Sequence, residues 1–93
     1  MAILKGHELI AQERERQIRE EGFNRDHDAE HSVEVLVAAA ISYAMYDQPG
    51  CEDAAEENWP WDECWWKPKD HRKNLIRAGA LIAAAIDRMD DIQ

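Results

Sequence analysis

The sequence is short of most of the features that would announce a function. It has only two cysteines, Cys51 and Cys64, too few and too far apart for a zinc ribbon. Apolar runs such as Val35–Ile41 are far shorter than the ~20 residues that cross a bilayer. The opening MAILKGHELI has no apolar stretch long enough for a signal peptide, so a cytoplasmic protein with free thiols is expected. Basic residues are scarce: 11 Lys and Arg stand against 20 Asp and Glu, for a net charge of −9. Such a chain repels a phosphate backbone, which excludes nucleic acid as a general partner. Neither an internal repeat nor the period-2 alternation of a strand is present, and no Ser or Cys sits in a nucleophile motif, so no catalytic residue is assigned.

Three helical stretches carry most of what remains. The first, about 7–21, is built on QERERQIREE, rich in helix formers and in Glu–Arg pairs at helical spacing, and Gly22 is its natural stop. Ile10, Arg14, Gln17 and Glu21 share one line down this helix, which either packs at one end only or turns polar groups toward a pocket. The second helix, about 30–46, follows the competent caps Asp26, Asp28 and Ser32. VEVLVAAAISYAMY is apolar nearly all round, which places it at the centre of the fold. The third, about 70–89, opens at Asp70 after Pro68. Leu75, Gly79, Ile82, Ile86 and Met89 predict its core stripe, with Ala78–Ala80 meeting the alanines of the second helix and Asp90 and Asp91 fraying the last turn. The fold class is all-α: one domain, 1–93, of three helices with a long crossover over 47–69, in which 54–58 has room for a helical turn. A chain of 93 residues builds a thin core, so a homo-oligomer is expected.

All four tryptophans lie in WPWDECWWKP, 59–68. Pro60 and Pro68 stiffen the segment. Trp59, Trp61 and Trp66 read either as a plug completing the core or as a stacking wall for a flat ligand. Lys67, Arg72 and Arg77 follow, and the start of the third helix offers backbone N–H groups to a phosphate, in competition with Asp70. Asp47–Glu63 holds seven acids and no base. In HDAEH, His27 and His31 are four apart, with Asp28 beside the first. They could cap a helix, contact a ligand or, as weak candidates only, hold a metal. The Glu-x-x-Glu by which helical NTP pyrophosphatases bind magnesium is absent; Glu30 and Glu34 are four apart instead.

Two blocks resemble a family of small uncharacterised phage and prophage proteins. Arg16, Gln17, Gly22, His27 and Asp28 match the first block, in which Phe23 replaces a Trp. Trp59, Pro60, Trp61, Trp66, Lys67, Pro68, Asp70, Arg72 and Ala78–Ala80 match the second. The resemblance implies a viral protein acting in the host cytosol and brings no assigned chemistry with it. Small phage proteins outside the virion often inhibit host defence, some by sequestering nucleotide signals. The leading expectation is therefore a non-enzymatic binder of a nucleotide-like ligand, with no cofactor. Gln17, His27, His31, Trp59, Trp61, Trp66, Lys67, Arg72 and Arg77 would form the site. The alternatives are an acidic module docking on a host protein or mimicking nucleic acid, and a divergent metal-dependent nucleotide hydrolase using His27, Asp28, His31 and Glu34.

Overall fold

Local capping chemistry sets the helix boundaries. The computed structural model describes residues 3–21 and 32–92. Helix α1 spans Gly6–Glu21, with the Lys5 N–H donating to the Glu8 carboxylate at its start. Helix α2 spans Val33–Met45, and Ser32 caps it by accepting from the Val35 N–H at 3.3 Å. Helix α3, Glu52–Asn58, and a 3₁₀ turn, Glu63–Trp65, lie within the crossover. Helix α4 runs His71–Ile92, with Asp70 capping it through the Lys73 N–H at 3.0 Å. The all-α class is as expected, but the described residues hold four α-helices and not three. The 47–69 segment is ordered by its own helix and 3₁₀ turn. Met89 is not the end of α4 either: the helix continues to Ile92 despite its terminal acids. Among the described residues no helix is long and apolar enough to cross a membrane.

The central helix is α4, which corrects the expectation for α2. α4 packs against α2 on one side and α1 on another, α3 packs on α2, and among the described residues α1 and α2 do not touch. α2 and α4 run antiparallel: Asp47, just past the end of α2, receives a bond from Asn74 in the first turn of α4, and the Arg77 guanidinium lies over the Tyr43 ring. Leu36, Ala39, Ala40 and Tyr43 meet Ala78, Leu81, Ala84 and Ala85 to form the core. Only part of the apolar surface of α2 is used, and Val37 and Ile41 face outward. A helix apolar all round can be flanked on two sides and bare on a third.

The predicted core stripe of α4 also faces the wrong way. Leu75, Ile82, Ile86 and Met89 are 46%, 49%, 54% and 55% exposed. The alanines take the core because small side chains let helix axes approach closely. Gly79 meets α1, not the alanines of α2: a Cβ there would stand 2.5 Å from Ile10 Cδ1. Three helices in chiefly one layer give a slab, with extents of 39 × 38 × 21 Å.

Candidate functional site

The tryptophans are held by hydrogen bonds as well as by packing. Trp59 follows α3 directly, and its indole N–H donates to the Asp62 carbonyl at 3.1 Å, closing a tight loop over Pro60 and Trp61. Asp62 then caps the 3₁₀ turn by accepting from the Cys64 N–H at 3.0 Å. That bond holds the Asp62 carboxyl below its ordinary range, while the Asp62 side chain pushes the Cys64 thiol up. Asn58 ties the start of the segment to α2, donating to the Ala38 carbonyl at 2.9 Å and to Ser42 Oγ at 3.1 Å. Asn74 ties its end to α4, accepting from the Lys69 N–H at 2.7 Å and donating to the Lys69 carbonyl at 3.0 Å.

The result is one aromatic cluster. Trp59 contacts Tyr43, Trp61 and Trp66, at centroid separations of 5.3, 5.2 and 4.9 Å. Trp66 also meets Tyr43 at 5.1 Å and Tyr46 at 5.6 Å. Trp59, Trp61 and Trp66 are half-buried against the core, so they complete it and still show an edge to solvent. Trp65 stands apart at 61% exposure, with the Lys67 ammonium 6.0 Å from its ring centroid. It is the exposed ring of the four, and the sequence reading left it out of the site. No periodicity within a 3₁₀ turn of three residues could have singled it out.

The Arg77 guanidinium lies 5.7 Å from the Tyr43 ring centroid and donates to the Lys67 carbonyl at 2.9 Å. On α1, Gln17 is only 2% exposed; its amide donates to Glu13 at 3.2 Å, and its buried carbonyl oxygen has no hydrogen-bond partner among the described residues. A buried acceptor of this kind costs stability unless something donates to it. Burial pushes the Glu13 carboxyl up, but the Arg16 pair at 2.7 Å, the Gln17 amide and the field of Arg77 outweigh it and hold Glu13 below 4.5. This stabilises the folded chain above the unfolded value and is lost as pH falls through the folded one. Below about pH 4.5 the wild type should therefore lose stability more steeply than Glu13→Gln. Urea midpoints across an acid pH series would measure it, and parallel curves would mean that the Glu13 contacts contribute nothing.

Of the nine expected site residues, Trp59, Trp61, Trp66 and Arg77 are brought together around Tyr43, Lys67 joins through its backbone carbonyl, and Gln17 lies on α1 against Glu13. Arg72 is exposed and, five residues from Arg77, lies about 140° away around α4. It does not join the cluster. His27 and His31, with the weak metal candidate Asp28, lie outside the described residues. Among the described residues no group of three His, Cys, Asp or Glu side chains is placed to hold a metal. No family model matches the sequence, and no curated protein or solved structure matches it.

Proposed function

We propose that this is a small phage all-α protein that binds a nucleotide-like ligand at the tryptophan end of the bundle and holds it intact. The observation that carries the reading is the half-buried Trp59–Trp61–Trp66 wall with the Arg77 guanidinium beside it over Tyr43. An aromatic face takes a base whatever its identity, and a guanidinium anchored by a backbone carbonyl meets a phosphate without further ordering. The resemblance to phage proteins supports a role in the host cytosol, where removing a nucleotide signal from circulation would blunt host defence.

The test is depletion and recovery. Purified protein is mixed with cyclic dinucleotides and ADP-ribose derivatives, filtered, and the free ligand quantified by mass spectrometry. The retained fraction is then heat-denatured. The expected result is a compound that disappears and returns unaltered, with Arg77→Gln weakening retention roughly tenfold in a protein that still folds. Return of an altered compound would make the protein an enzyme. Retention of nothing in the panel, or full retention by Arg77→Gln, removes the site.

A second reading rests on α3, whose Glu52, Asp53, Glu56 and Glu57 are all exposed. Such a face would suit a basic host protein. Two acids of the same run, Asp47 and Asp62, are engaged within the fold, which leaves a smaller acidic surface than the sequence suggested. Binding through it would fade as salt rises.

A further inference from the structure

We infer that the bare face of α4 is a two-fold interface with a second copy of this chain. Leu75, Ile82, Ile86 and Met89 are each about half exposed and share one line with Gly79, a stripe about 21 Å long. At about 100° per residue this stripe lies about 80° round α4 from Asn74, Ala78, Leu81 and Ala85, which face α2. On antiparallel α2, the exposed Val37 and Ile41 are turned a similar way from Leu36, Ala40 and Tyr43, toward the same side of the slab. α3 and the tryptophan segment occupy the other side, through Asn58 on Ser42. One broad face is thus covered and the other is apolar and open. A contiguous apolar surface of this kind marks an interaction site.

The spacing and the charges select the occupant. An antiparallel copy centred on Ile82 places Leu75 opposite Met89 and Ile82 against its own counterpart. The stripe is self-complementary, as an isologous contact requires. The ends agree: exposed Arg72 and exposed Asp90 lie on the same edge of α4, and the two-fold brings each opposite the other. A parallel copy would set like charge against like. The antiparallel partner also brings the positive pole of its α4 to the acids that oppose the dipole of this one.

Sedimentation velocity across the micromolar range tests the inference directly. The wild type should be a concentration-dependent dimer. Ile82→Asp, which changes an exposed residue and should keep its helical circular dichroism, should be monomeric. Arg72→Asp and Asp90→Arg should each raise the dimer dissociation constant roughly tenfold, and the double variant should restore it, because each substitution acts twice across a two-fold. A wild type that stays monomeric overturns the proposal. So does any assembly that survives Ile82→Asp, or a double variant no tighter than the single ones.

Discussion

Trp66→Ala should lower the stability of the folded chain by about 3 kcal/mol, while Trp65→Ala, at the adjacent position, should change it by less than about 0.5 kcal/mol. The contrast follows from what each ring touches. Trp66 contacts Tyr43, Tyr46 and Trp59 and packs on the core, so its truncation removes a large buried area and leaves its neighbours facing a void. Trp65 is 61% exposed, with the Lys67 ammonium 6.0 Å from its ring centroid. At this chain length 1 kcal/mol corresponds to about 4–8 °C, so thermal melts followed by circular dichroism should separate the two variants by at least about 10 °C. Equal melting temperatures would mean that Trp66 does not complete the core, and its ring would then be free for a ligand. The expected outcome has a practical consequence for mapping the site. Loss of ligand binding in Trp66→Ala would be uninformative by itself, whereas loss in Arg77→Gln with a retained melting transition would be specific.

The crowding of tryptophan into one segment is explained by the thinness of the slab. The alanines that let α2 and α4 approach fill little volume, and the aromatic cluster supplies bulk where the two helices leave Tyr43 uncovered. The start of α4 was legible in the sequence, and that of α2 was among the alternatives, because caps are local: Ser32 and Asp70 each accept a backbone N–H three residues on. The choice of core face was not legible. α4 carries an alanine line and an isoleucine line, both at helical spacing, and periodicity cannot say which one meets a neighbour. Bulk pointed to the isoleucines, while close helix packing buried the alanines. The separation of Arg72 from Arg77, in contrast, follows from a five-residue step on any helix and was available from spacing alone. The polar line of α1 was visible as a pair of alternatives, and of that line Gln17 is buried.

Asn74→Ala should be nearly as damaging as the loss of Trp66, although it removes only three heavy atoms. Asn74 is 0% exposed and no sequence pattern marks it. Its amide donates to Asp47 at 2.8 Å and to the Lys69 carbonyl at 3.0 Å, and its oxygen accepts from the Lys69 N–H at 2.7 Å. One side chain therefore fastens the end of α2, the exit of the tryptophan segment and the first turn of α4. Truncation removes the Asn74 bond from three polar groups, at about 1–3 kcal/mol for each that neither water nor another partner reaches, and Asp47 keeps His71 at 3.2 Å. Lys69 and Asp47 lie at the surface and will be partly rehydrated, so a total of about 3 kcal/mol is expected. Asn74→Leu separates bonding from volume, because it fills the space and makes none of the bonds. Both variants should melt at similar temperatures, well below the wild type, and both should shift the tryptophan emission to longer wavelength as the segment loosens. If Asn74→Leu instead recovered most of the wild-type stability, packing and not hydrogen bonding would hold this junction. The tryptophan segment would then be anchored chiefly by Asn58 and by its own rings.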